Sequence, residues 1–242
     1  MSKIFPLKTQ RNLHGIKIGS PIFVYHKVGT VANTRSWVTI DMFDSHMKTI
    51  VDRGYSTVSL NDLNKKPKTI VITFDDGYEN FYTQAYPILM KYGLTATNFL
   101  ITNFIGDDVR YLNTWEKNIE EKTFIVGHLL WSEIQEMKLN GFRFESHTKS
   151  HRYLKTLNDD ELVKEISESK AIIEEKLNDT VYYFSAPKGE YTENIMVLLG
   201  KYGYYGYMSG KSGTGQSIGQ IGRFNMKMST NINHILNLFE GN

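Results

Sequence analysis

The sequence predicts an α/β fold in which a mostly parallel sheet curls into a closed or nearly closed barrel of about seven βα units. Short apolar or β-branched runs alternate along the chain with stretches of helical periodicity, the pattern of parallel strands joined by crossover helices. Because such crossovers are right-handed, the sheet curls consistently one way. At 242 residues, the chain suits one barrel-sized domain or two small ones and can bury a substantial core. No internal repeat, linker or composition break divides it.

Residues 1–20 read as an N-terminal lead and 21–242 as the domain proper. Pro21 to His26 is apolar and is the first strand, with His26 at its far end. Residues 27–39 read as a polar loop. From Asp41 to Asp52, Phe43, Met47, Ile50 and Val51 fall at helical spacing, and Gly54 stops the helix. Tyr55–Leu60 is expected as the second strand and Thr69–Phe74 as the third. A helix over 79–92 buries Phe81, Ala85, Ile88, Leu89 and Tyr92, and Gly93 ends it. Strand Thr95–Ile101 follows. Residues 105–128 lose the rhythm, and an excursion of that length is a lid, a binding wall or a segment with a short helix of its own.

Trp131–Asn140 is a short helix ended by Gly141, and 142–146 is a strand. Asn158 is the N-cap of a long helix with Glu161 completing a near capping box. Leu162, Ile166, Ile173 and Leu177 form its buried stripe. Strand Val181–Phe184, helix 191–200, strand Tyr204–Met208, a Gly/Ser-rich loop at 209–219, strand 220–226 and helix 231–239 complete the alternation.

The chemistry centres on Thr69-Ile-Val-Ile-Thr-Phe-Asp-Asp-Gly-Tyr78. An apolar run buried on both faces stops at two adjacent carboxylates and a glycine. Burying Asp75 or Asp76 inside the sheet costs several kcal/mol unless each is paired, so the favourable place is the strand's C-terminal end. Gly77 lets the chain turn there. In parallel α/β folds that end builds sites. Asp-Asp-Gly is equally sound turn chemistry, and alone it decides nothing. A second strand-like run, Phe142-Arg-Phe-Glu-Ser-His-Thr-Lys-Ser-His151, ends in two histidines four residues apart. Two histidines with one carboxylate make a common open zinc set, leaving a position free for water or substrate.

TFDDG at 73–77, SHTKSH at 146–151 and FSAPKG at 184–189 resemble the first three motifs of the polysaccharide deacetylase family, carbohydrate esterase family 4. Val24-Tyr-His-Lys-Val28 and Leu130-Trp-Ser-Glu-Ile-Gln-Glu-Met137 add to the likeness, which runs from about residue 21 to 240. In motif style it is similar to the subgroup acting on poly-N-acetylglucosamine. The resemblance implies a distorted (β/α)7 barrel and a metal-dependent hydrolase that removes the N-acetyl group from a sugar in a glycan or glycan precursor. It assigns Asp75 as the base and Asp76, His147 and His151 as ligands of a divalent metal, Zn2+ by preference. The turn Pro187, Lys188, Gly189 is implied to contribute the oxyanion donor through the backbone N–H of Lys188, where the family often has Tyr.

Two departures from the family pattern stand out. The Arg that usually braces the base is replaced by Ser185, and the late Leu-x-His motif that supplies the acid is absent. Arg223, in Gln220-Ile-Gly-Arg-Phe224, is the candidate brace, since its fork can hold a carboxylate bidentately. His26 is the candidate acid, because it ends an apolar run as Asp75 does and so opens on the same face of a parallel barrel. The alternatives are a surface arginine and a histidine that merely caps its strand.

The bulk composition narrows the rest. There are no cysteines, so disulfides and thiolate metal sites are excluded. A net charge of +2 gives no argument for nucleic acid. No stretch approaches an integral membrane segment, and residues 1–20 lack the apolar core of a signal peptide. A cytoplasmic location is therefore expected, with a secreted protein whose leader has been trimmed as the alternative. The expected partner is a carbohydrate substrate; oligomeric state is left open. Trp37, Tyr111, Trp115 and Tyr204–Tyr207 are candidates for stacking on sugar rings, against the plainer reading that they pack the fold. Two further functional readings keep the same fold: hydrolysis of a non-sugar amide, and a silent carbohydrate-binding domain.

Overall fold

The computed structural model describes residues 19–30, 36–112, 126–209 and 219–240. Residues 1–18 of the lead (with His14), Trp115 with its surroundings at 113–125, and the loop at 210–218 lie outside the described residues. The elements in chain order are β1 Ile22–Tyr25, β2 Lys27–Gly29, β3 Trp37–Thr39, α1 Ile40–Asp52, β4 Ser56–Thr57, β5 Thr69–Asp76, α2 Tyr86–Lys91, β6 Thr97–Leu100 and α3 Trp131–Leu139. They continue with β7 Arg143–Ser146, α4 Asp159–Leu177, β8 Tyr183–Ser185, α5 Glu193–Lys201, β9 Gly206–Ser209, β10 Gln220–Gly222, β11 Phe224–Asn225 and α6 Ile232–Glu240.

The strands run in the order β10-β9-β8-β7-β6-β5-β1-β11, and every pairing along that path is parallel. Only Arg223 separates β10 from β11, yet β10 pairs with β9 while β11 pairs with β1. One bent strand therefore joins the two edges of the sheet, and counting it once turns the path into a ring of seven. This is the barrel the sequence implied. β5 is buried at every position, as its unbroken apolar run requires.

Alternation along the strands splits the core in two. Phe23, Ile70, Ile72, Phe74, Leu100, Phe144 and Phe184 pack outward against the helices. Ile22, Val71, Phe99, Tyr183, Met208 and Ile221 form the separate interior cluster, closed from below by Leu60 and Leu63. On α4, Leu162, Ile166, Ile173 and Leu177 are all buried. Its capping box is complete: Glu161 N donates to Asn158 Oδ1 at 3.0 Å and Asn158 N to Glu161 Oε2 at 3.1 Å, a cap worth about 1 kcal/mol.

The structure corrects several local expectations. Residues 27–39 are not simply a loop, because β2 and β3 pair in parallel and bury Val28 and Val38. The segment Tyr55–Leu60 pairs with β5 only at Ser56 and Thr57. The Ser-Asn-Asp turn chemistry then takes over, with Ser59 Oγ donating to Asp62 Oδ2 across a short 3-10 turn. The helix expected over 79–92 opens as a π turn at Phe81–Ala85, where Pro87 has no N–H to continue an α ladder. Strand 220–226 is bent at Arg223, for the closure just described.

Candidate metal centre and catalytic cavity

Asp75 and Asp76 end β5, both almost fully buried. Asp75 is met by Arg223, whose position at the barrel seam turns its side chain inward. Arg223 Nη1 and Nη2 donate to Asp75 Oδ1 and Oδ2, each at 2.7 Å, a bidentate pair. Nη1 also reaches Thr73 Oγ1 at 3.2 Å, and Nη2 reaches Ser185 Oγ at 3.0 Å. Ser185 Oγ in turn donates to Asp75 Oδ2 at 3.3 Å. The small side chain at 185 thus leaves room for a guanidinium that arrives from another strand. Burial alone would raise the Asp75 pKa, but the Arg223 charge, with His147, outweighs it and holds the carboxyl below its usual range.

Asp76 faces imidazoles instead. Its Oδ1 lies 3.1 Å from His147 Nε2 and 3.4 Å from His151 Nε2. These three donor atoms all fall within 4.8 Å of one another. His147 Nδ1 donates to the Ser185 carbonyl at 2.7 Å, which orients the ring and turns Nε2 towards Asp76. Two imidazole nitrogens and one carboxylate oxygen, with the ring oriented from behind, fit a divalent cation with an open coordination position. Burial opposes the Asp76 charge, yet the hydrogen bonds to His147 and His151 prevail and hold it well below the usual carboxylate range. For His147, burial is outweighed by Asp75 and Asp76, so its pKa is raised.

The backbone around this set is strained. Asp76, Thr148 and His151 have φ of 78°, 72° and 60°, left-handed values that cost a non-glycine residue about 1–2 kcal/mol each. Local hydrogen bonds hold them. Thr148 Oγ1 accepts from His151 N at 2.9 Å, and Glu165 Oε2, on α4, accepts from Lys149 N and Ser150 N at 3.0 and 2.8 Å. His128 Nδ1 lies 3.1 Å from the Asp76 carbonyl oxygen. Burial pushes the His128 imidazole down to about 4.

Asp75, Asp76, His147, His151, Arg223, His26, Lys188 and Gly189 all line one cavity of about 340 Å³. His26 is half-buried there, and its Nδ1 has no hydrogen-bond partner among the described residues. Burial lowers its pKa, opposed by Asp76 and then Asp75. Pro187–Gly189 forms a single turn with Lys188 at φ 62°, and Tyr191 braces it from beneath. The Tyr191 hydroxyl accepts from Ala186 N at 2.8 Å and donates to the Met208 carbonyl at 2.6 Å. The Lys188 ammonium rests 4.5 Å from the Tyr153 ring centroid.

Sequence reasoning passed over several neighbours. His128, at the end of the 105–128 excursion, touches the Asp76 carbonyl. Ser36, Ser209 and Asn225 also line the cavity, and no pattern in their short segments marked them. None of the described aromatic stacking candidates lines the cavity. Trp37 and Tyr204 are buried, with the Tyr204 hydroxyl on the Ile166 carbonyl, and exposed Tyr205 lies against Tyr182.

A family model described as polysaccharide deacetylase matches residues 62–207. YxkH of Bacillus subtilis (strain 168), provisionally named a polysaccharide deacetylase, is 32% identical over 192 residues, 76% of this chain and 62% of that protein. A Staphylococcus aureus (strain MRSA252) protein named poly-beta-1,6-N-acetyl-D-glucosamine N-deacetylase is 31% identical over 156 residues, 61% of this chain and 48% of that protein. The chain thus spans less than two thirds of the length of either curated relative. In fold it is similar to the Streptococcus pyogenes deacetylase PplD solved with acetate, with a TM-score of 0.78 at 24% identity, covering 92% of this chain and 98% of that one.

Proposed function

This chain belongs to the polysaccharide deacetylase family, and from that premise we propose that it hydrolyses the N-acetyl group of a sugar unit in a glycan, using a divalent metal. The observation that carries the reading is the division of labour between adjacent carboxylates. Asp76 shares its oxygen with two imidazole nitrogens, while Asp75 is held away from them by the Arg223 fork.

Asp76, His147 and His151 would hold the cation, with Zn2+ as the expected ion for two nitrogens and one oxygen. A cation there supplies positive charge that acidifies an attacking water and polarises the acetyl carbonyl. The remaining steps fall to the chain itself. Asp75, kept ionised by Arg223, takes the proton from the attacking water at a carboxylate oxygen. The Lys188 N–H, in the turn Pro187–Gly189, donates to the oxygen on which negative charge develops. His26 gives a proton to the departing amine, which leaves poorly without one.

A metal-stripped preparation, with and without added zinc, tests the reading by acetate release from a panel of N-acetylated oligosaccharides. The expected outcome is loss of acetate release on stripping and recovery with zinc, on at least one sugar substrate. Full activity without metal, or acetate release from non-sugar amides alone, would overturn it.

A further inference from the structure

Asp76 must present its oxygen to two imidazoles from a left-handed backbone, φ 78°, directly before Gly77 at φ 69°. What holds that peptide comes from the excursion before α3. His128 is fully buried, its ring stacked between Tyr78 and Phe104 with centroids 5.1 Å from each and interplanar angles of 28° and 25°. The backbone keeps the segment in place. Leu129 N donates to the Gly77 carbonyl at 2.9 Å, and Glu79 N donates to the Gly127 carbonyl at 2.8 Å.

The polar contact of the ring falls on the ligand's own peptide. His128 Nδ1 is 3.1 Å from the Asp76 carbonyl oxygen, and a carbonyl only accepts, so Nδ1 carries the hydrogen. Nε2 is buried with no partner among the described residues, which makes the ring the neutral Nδ1–H tautomer. A phenyl ring would fill the same stack. The imidazole adds one directed donor, spent on the carbonyl of Asp76.

We propose that His128 is a positioning residue for the metal ligand Asp76. Its Nδ1–H fixes the Asp76–Gly77 peptide plane and thereby aims Asp76 Oδ1 at the Nε2 atoms of His147 and His151. The inference rests on the metal reading above. It goes beyond it by assigning the fidelity of the ligand set to a residue outside that set. Partners of this kind typically govern metal affinity by about 10–100-fold, because they decide how much reorganisation binding requires.

Two variants separate aiming from packing. His128→Phe keeps the aromatic stack and removes the donor. His128→Asn abandons the stack and returns an N–H donor near the place of Nδ1. Zinc affinity of the metal-stripped full chain is measured by competition with a chromophoric chelator, and melting of the metal-free form checks that each variant folds. The expected result is affinity about 10–100-fold weaker in His128→Phe, with most of that loss recovered in His128→Asn. A role in packing alone gives the reverse order. Wild-type affinity in His128→Phe, or His128→Asn no better than His128→Phe, would overturn the proposal. Absence of zinc binding by the unsubstituted chain would instead sink the metal reading, and the assignment of His128 with it.

Discussion

Asp75 on β5 and Glu145 on β7 stand in one row across the sheet, with Phe99 of β6 between them in register, and both are buried. Asp75 meets a guanidinium. Glu145 instead accepts hydrogen bonds from the backbone N–H groups of Tyr182 and Tyr183, at 2.8 and 2.9 Å, where β8 begins. Burial pushes both carboxyls towards the neutral form. Arg223 reverses that push, so Asp75 stays below the ordinary carboxylate range; two amide dipoles do not, and Glu145 is raised to about 8. The same row thus holds a carboxylate kept charged and a carboxyl that is mostly protonated at neutrality. What distinguishes them is a guanidinium in direct bidentate contact, supplied to Asp75 at the end of the row where the cavity opens.

The comparison can be broken most severely at Asp75. Asp75→Asn should lower kcat by about 10²–10⁴-fold if the charged carboxylate is the base, with zinc content unchanged. A kcat within a few-fold of wild type would show that the charge kept at Asp75 is not used. The proton that Asp75 removes must be matched by one given to the amine. His26→Ala should therefore keep the fold and the metal while losing most of kcat and the alkaline limb of the pH profile. An unchanged limb would remove His26 from that role.

Arg223→Lys retains a positive charge but not the fork, and should lower kcat by roughly 10–100-fold with metal content intact. It should also move the acid limb of the profile upward, since Asp75 would lose part of what holds its pKa down.

The smallest effect concerns stability at the other end of the row. With its folded pKa raised from 4.5 to about 8, Glu145 keeps a proton in the folded chain that the unfolded chain has already released. Stability from this group is therefore full below about pH 4.5 and is lost as pH rises towards 8. Glu145→Gln keeps an acceptor for both N–H groups and removes the titration. Its unfolding free energy should decline less than wild type's between pH 5 and 9, by an amount on the order of a few kcal/mol. Parallel melting curves for the two proteins would contradict the Glu145 account.

Much of this arrangement was legible because strand ends announce themselves. An apolar run stopping at Asp75-Asp76-Gly77, and another stopping at His147, together favour placing those side chains at the C-terminal edge of a parallel sheet. His26 followed from the same argument, and Arg223 from its place in a late strand once Ser185 left the carboxylate without a brace. The bend that makes Arg223 the seam between β10 and β11 was not legible, since it depends on which two edges meet when the sheet closes. His128 was hidden for a related reason. It sits in a segment without helical or strand period, and only the tertiary fold lays that segment against the turn after β5. Residues 27–39 were read as a loop because a strand as short as β2 or β3 leaves too little alternation to recognise.

The central claim is that two neighbouring carboxylates divide the work, Asp76 holding the metal and Asp75 the proton. Zinc bound per chain, measured side by side for Asp75→Asn and Asp76→Asn after stripping and reloading, tests it most directly. The account predicts near wild-type zinc in Asp75→Asn and a large loss in Asp76→Asn. Equal retention or equal loss in the two variants, or the reverse order, would contradict it.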